Sequence, residues 1–414
     1  MNERLRDGLH QALFGWLNLA LTAPSVYLWL GLPLIMRQHG WSGVDIGLFQ
    51  LAGVPAVFKF LLAAPVERYR LGGVRTGRYQ AWAVLLCMAF ALVLCLVGRQ
   101  ELLSSRAELF GLALLAALLA TWADIPVNAL AIKLLPALQR LRAGGIRSAA
   151  LSMGAIVGGG LMLLVQARWG WRAPFWLMAG GLVAGAIGLC LVHEPAASPV
   201  GTSLSAPEGL RLRDFRDYLA QPAARPWTAL LLLYFPFIGA AWFYLKPLLL
   251  DHGFAVRDVA LVVGVGGGLV AAVASLLAAR LIRSAGLSRA VPACAGLSFA
   301  ALAALTLAVA LQAGPAMLVC AALLVAVAMG CAATLAFGLM MHFTRRAREA
   351  VDYGTQASLF SLSRLAVPLL AGLLLDRTGA VGMLLFLSAA MAGVVVLSLR
   401  SRHRIAEAVW EGRA

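Results

Sequence analysis

Three ionisable side chains sit deep inside apolar runs: Lys59, Asp124 and Arg364. A charge at the centre of a bilayer costs about 2.5–3.5 kcal/mol on insertion scales, so such groups are kept for pairing, binding or moving ions. Asp124 is the one acid deep in a run, and a carboxyl can lose its charge by taking a proton, which suits it to proton coupling. Arg364 cannot lose its charge. A guanidinium fixed at that depth suits a carboxylate or phenolate on a substrate; the alternative is an arginine bonded to the backbone carbonyls of a broken helix. Lys59 lies fifteen residues into its run from Val44, and Asp124 fifteen residues into its own from Leu109. With a rise of about 1.5 Å per residue they share a depth and could pair. Otherwise Lys59 snorkels to the cytoplasmic surface.

Weaker polar groups form stripes around these three. Asn18, Thr22 and Ser25 fall at i, i+4, i+7, and Thr121, Asp124 and Asn128 at i, i+3, i+7, so each trio shares a helix face. They line a cavity or tie helices together. Asn18, Thr22 and Asn128 are candidate substrate contacts beside Arg364, and Trp29, Tyr234, Trp242 and Tyr244 could meet substrate rings.

The elements that must hold these residues follow from composition. Of 414 residues, 62% are hydrophobic and 13% charged, which rules out a water-soluble monomer. Apolar windows long enough to cross a bilayer fall near 12–36, 44–66, 79–98, 109–132, 146–166 and 173–192, then near 226–250, 259–279, 290–311, 315–341, 354–375 and 379–399. The expectation is an all-α membrane protein with twelve transmembrane helices in two six-helix bundles. Residues 1–192 form the first bundle and 226–400 the second. Residues 193–225 are a cytoplasmic linker, with a short amphipathic helix around Leu212, Phe215 and Leu219, and 401–414 a cytoplasmic tail. Counting Lys and Arg by side places 24 inside and 7 outside when both termini are cytoplasmic. The net charge of +16 is therefore mostly topology, and nucleic acid is excluded as a partner.

The basic start followed by Ala12–Met36 reads as an uncleaved first span. The six cysteines show no CxxC spacing, so no metal site or disulfide framework is expected. No phosphate-binding loop is present, which sets ATP aside as a direct energy source. Internal repetition is visible. His39-Gly40-Trp41 and Asp45 recur as His252-Gly253-Phe254 and Asp258, an offset of 213. Gly145, Ser152 and Arg168-Trp169-Gly170 recur as Gly354, Ser361 and Arg377-Thr378-Gly379, an offset of 209. This favours duplication of a six-helix unit. Gly154, Gly158, Gly159 and Gly160 in the fifth span and Gly264, Gly266, Gly267 and Gly268 in the eighth are expected to let those two spans pack face to face.

Six plus six spans around a central linker resemble the major facilitator superfamily. Phe58-Lys59-Phe60, Ala64-Pro65, Glu67-Arg68-Tyr69 and Gly77-Arg78 resemble the F-K…A-P…D-R-Y…G-R-R signature of the AmpG-like muropeptide permeases, with Glu67 for Asp and one Arg of the last pair missing. Ala120-Thr121-Trp122-Ala123-Asp124-Ile125 through Asn128 resembles the A-T-Q-D-I…D stretch of that group, with Asn128 where a second acid would stand. Trp169-Gly170-Trp171-Arg172 and Phe175-Trp176-Leu177-Met178-Ala179 continue the likeness. The short length is similar to the RhtX/FptX branch of siderophore permeases. The resemblance implies a monomeric transporter of the bacterial inner membrane, not an enzyme and without cofactor, importing a ferric siderophore such as ferripyochelin with protons. The iron would be cargo without protein ligands. Asp124 and Lys59 would serve proton coupling, and Glu67, Arg68 and Arg78 the gate. An AmpG-like muropeptide permease, or an exporter of siderophores or drugs, is the alternative.

Overall fold

Lipid offers backbone N–H and C=O groups no partner, and a helix satisfies them within one segment. All regular structure among the described residues is helical. The computed structural model describes residues 3–38, 41, 49, 51–71, 77–100, 105–136, 139–194, 218–221, 224–345 and 348–411. Most of the linker, including the surface helix expected before Leu219, lies outside them, as do His39, Gly40 and Asp45 of the repeat.

The helices are α1 (3–38), α2 (51–68), α3 (Arg78–Arg99), α4 (Arg106–Leu134), α5 (Arg140–Trp169), α6 (Arg172–Cys190), α7 (Ala224–Asp251), α8 (Arg257–Ala285), α9 (Leu287–Ala310) and α10 (Pro315–His342). A last helical run divides at Gly379, whose φ of 73° is outside the helical range, into α11 (349–378) and α12 (380–411). Nine helices among the described residues are long and apolar enough to cross a membrane when that last run counts once. Its division, with α1 and α2, gives the twelve spans of the expected fold class.

Local chemistry explains the boundaries. Ser105 caps α4 by accepting the Glu108 N–H, and Glu108 adds an acid to the positive first turn. α10 opens on Pro315, which needs no N–H there. Gly170 after α5 and Gly379 after α11 both have left-handed φ, 82° and 73°. The repeated Arg-x-Gly triplets thus mark the same glycine-dependent turn in each half. Three helices contain π turns: α1 at Tyr27–Gly31, α5 at Val157–Leu161 and α8 at Ala260–Gly266.

The chain forms two compact units. The first contains Met1–Pro136, Met153–Arg216 and Thr344–Ser358, and the second Ala137–Ser152, Asp217–Phe343 and Leu359–Ala414. The early parts of α5 and α11 are thus each grouped away from the rest of their helix. Within the first unit, a Cβ at Gly158 would overlap the Ala23 carbonyl oxygen, and one at Gly154 would come 2.8 Å from the Thr22 side chain. These glycines serve the seam between α1 and α5. In the second unit Gly267 of α8 accommodates Trp242 of α7.

α5 meets α8 nearer its own start, within the second unit. There Ser148 and Ser275 hydroxyls bond at 2.8 Å, and a Cβ at Gly145 would lie 2.7 Å from the Ala279 methyl group. A Cβ at its repeat mate Gly354, in the first unit, would lie 2.8 Å from the Ala63 methyl group of α2 and 3.3 Å from the Lys59 carbonyl oxygen. One residue type therefore permits α5 on α8 and α11 on α2, which is the physical content of the 209-residue offset.

Gly158→Ala is expected to part α1 from α5 and cost about 1–3 kcal/mol of stability, as overpacking does. Gly160→Ala, with nothing within 4 Å of the new methyl, should be near neutral. Thermal unfolding of both in detergent checks the contrast.

Candidate functional site

In the first unit α2, α4 and the start of α11 converge on one carboxylate. Lys59 Nζ lies 2.7 Å from Asp124 Oδ2, with the side chains 14% and 13% exposed. The Tyr353 hydroxyl donates to the same oxygen at 3.0 Å, and Asn128 Nδ2 donates to Oδ1 at 2.9 Å. Asn128 is one turn after Asp124 on α4, and its amide also reaches the Asp124 carbonyl at 2.6 Å. Lys59 follows the 3-10 stretch Leu51–Phe58, and the next N–H, that of Phe60, donates to Ser358 Oγ at 2.9 Å. The lysine pairs with the acid at its own depth and does not snorkel. Three donors around one carboxylate supply the hydrogen bonds that lipid cannot.

A second cluster closes the inner ends of α2, α3 and α11 in the same unit. Glu67 Oε2 accepts from Arg78 at 3.0 Å, and Oε1 accepts from the Tyr79 hydroxyl and the Ala350 N–H, each at 2.9 Å. Tyr79 also lies 3.1 Å from Glu349 Oε2, although a phenol has one hydrogen to give. Glu67 lies just past the apolar run. Burial pushes its carboxyl above the ordinary range, against the bonds from Tyr79 and Ala350 and the charge of Arg78. Arg68 stands apart, exposed, with its guanidinium 5.4 Å from the Tyr69 ring. Beside this cluster Glu194, fully buried, pairs with Lys133 at 2.7 Å and accepts the Gln80 N–H at the start of α3.

The other candidates of the first unit turn inward on their own helix. Asn18 donates to the Phe14 carbonyl, Thr22 to that of Asn18 and Ser25 to that of Leu21. Trp29, in the π turn of α1, lies 5.9 Å from the Phe49 ring.

In the second unit Arg364 is exposed on α11, with its guanidinium 5.6 Å from the rings of Phe235 and Phe360. The Tyr244 hydroxyl donates to the Pro368 carbonyl one turn beyond Arg364, at 2.9 Å. Tyr234 is 1% exposed, and its hydroxyl donates to the Val291 carbonyl, so it is tied to α9 and not offered at a surface. Arg147, 6% exposed, lies with its guanidinium 4.7 Å from the Phe337 ring.

Tyr353, Tyr79, Glu349, Glu194 and Arg147 were not among the residues the sequence singled out. Arg147 is seven residues inside α5, near enough to the basic residues at 140 and 142 to read as part of a loop. Among the described residues, no group of three or more His, Cys, Asp or Glu side chains could hold a metal ion.

The family profile described as Major Facilitator Superfamily matches residues 15–364. The anhydromuropeptide permease of Escherichia coli K12 is 27% identical over 384 residues, which is 89% of this chain and 76% of that protein. Two solved structures share the fold. The human organic anion transporter MFSD10 (TETRAN) has a TM-score of 0.76 and 17% identity, covering 96% of this chain and 100% of the other. The E. coli fucose:proton symporter FucP has a TM-score of 0.73 and 14% identity, covering 96% and 98%.

Lys59→Met should cost about 1–3 kcal/mol by leaving a half-satisfied carboxylate in the membrane. The double variant Lys59→Met/Asp124→Asn should recover part of that loss, and unfolding measured across the double-mutant cycle would show it. Additive losses would mean that the two charges do not support each other.

Proposed function

Because this chain belongs to the Major Facilitator Superfamily, we propose that it is a secondary carrier, not an enzyme, that brings an amphipathic anion into the cytoplasm across the bacterial inner membrane. A proton moving through Asp124 drives it. The observation that carries this reading is the ionic contact at 2.7 Å between Lys59 and Asp124, with Tyr353 on the same oxygen. A proton on Asp124 would cancel the charge that holds Lys59, so loading the proton and keeping the pair compete. The Glu67, Arg78, Tyr79 and Glu349 cluster would serve as the inner gate, since it fixes the first turn of α11 to α2 and α3. Arg68 takes no part in that cluster.

For the cargo, the likeness to an anhydromuropeptide permease over 89% of the chain supports a sugar–peptide bearing carboxylates, with Arg364 reading the anion. A ferric siderophore is the second reading. It is supported by Asn128 in the place of a second acid and by the phenyl rings around Arg364, which suit a less polar ligand. In either case Tyr244 and Trp29 remain candidates for substrate contact, while the bonding of Asn18, Thr22 and Tyr234 supports structural roles for them.

Accumulation of radiolabelled anhydromuropeptide and of ferripyochelin, compared in cells with and without the gene, separates the two cargoes. Uptake should collapse with a protonophore. Asp124→Asn should abolish accumulation against a gradient with expression unchanged; normal, protonophore-sensitive accumulation by that variant would place coupling elsewhere.

A further inference from the structure

Among the described residues Arg364 has no ion-pair partner. Its neighbours are two rings, Phe235 from α7 and Phe360 from one turn earlier on α11, each 5.6 Å from the guanidinium carbon. The rings are themselves 5.2 Å apart and tilted by 45°. These three separations make a near-equilateral triangle, so both rings lie to one side of the guanidinium. Both are core residues, 8% and 4% exposed, while Arg364 is exposed.

The backing is rigid. Phe235 stands where α7 breaks ahead of Pro236, a position set by the covalent limits of proline. Phe360 packs edge-on against Phe337 at 5.5 Å. A phenyl face attracts a cation but accepts no conventional hydrogen bond, so the guanidinium's five N–H donors are left for the open side. An open side turned to hydrocarbon would carry the full insertion penalty without return, so it must meet water or a ligand. The group whose geometry matches a planar guanidinium fork is a carboxylate, taken through two parallel bonds. Rings that restrict the arginine in advance reduce the ordering cost when the ligand arrives.

We propose that Phe235 and Phe360 are positioning residues of a carboxylate site at Arg364, which takes its ligand bidentately on the side away from the rings. The inference rests on the carrier reading only in making that carboxylate part of the cargo.

The test is peptide-resolved modification of Arg364 by phenylglyoxal in the purified full-length protein, with benzoate and its neutral amide, benzamide, as probes. Benzoate should slow modification of Arg364 by about fivefold or more, as a charge-assisted contact would. Benzamide should not, and the arginines at 257 and 377 should be unaffected by either. Phe235→Leu and Phe360→Leu should each lose most of the protection while melting well above the temperature of the assay. Phe360→Tyr, which keeps the ring face, should retain it. Should Phe360→Leu fail to fold, Phe235→Leu and the benzoate–benzamide contrast in the unaltered protein still decide. Equal protection by both probes, none by benzoate, or full protection in the folded leucine variants overturns the proposal. No transport is measured, so a protein that shows protection without anhydromuropeptide or ferripyochelin uptake keeps the site and loses the carrier reading.

Discussion

A polar group inside a bilayer finds no partner in the hydrocarbon, so the protein must supply one or hold open a wet cavity for it. This constraint sorts the polar residues of the spans into two kinds. Asn18, Thr22 and Ser25 are satisfied by carbonyls one turn back on their own helix. Lys59, Asp124 and Tyr353 find partners on other helices, and their bonds draw α2, α4 and α11 to a common point. Glu67 repeats the logic at the inner surface, where it gathers Arg78, Tyr79 and the Ala350 N–H in the first turn of α11. Helix N-termini carry unsatisfied donors and partial positive charge, so a buried carboxylate there answers two needs at once.

Much of the fold was legible because its signals are local. A window of apolar residues longer than the bilayer is thick can be read without knowing its neighbours, and so can the left-handed turns at Gly170 and Gly379. Depth was legible too, since Lys59 and Asp124 lie at equal distances from the ends of parallel runs. Partnership was not. Tyr353 bonds an acid 229 positions away, and nothing in its own surroundings distinguishes it from a tyrosine at a membrane surface. Glycines at 154 and 158 announce that a backbone can come close, but not that it is the backbone of α1. Tyr234 shows the same limit for aromatics: a hydroxyl in a span must be bonded, yet periodicity does not say whether to a ligand or to the Val291 carbonyl.

The duplication clarifies what the sequence could only count. Gly145 and Gly354 are separated by the repeat offset, and each permits a close approach, of α5 to α8 and of α11 to α2. The polar chemistry is not duplicated with them. Beside Gly145 stand two serines, Ser148 and Ser275, bonded without charge. Beside Gly354 stands Tyr353, bonded to a carboxylate that a lysine neutralises. Two copies of one packing solution thus carry different electrostatics, and in the carrier reading only the second can respond to a proton.

The asymmetry extends along α11. Within the second unit Pro368 lies one turn beyond Arg364, with its carbonyl held by the Tyr244 hydroxyl of α7. A proline removes the bond that would have run back to the Arg364 carbonyl, so bending of this segment is easiest past the arginine. The hydrogen bond from Tyr244 falls at that same point, so the weakest stretch of the ladder is also where α7 holds it.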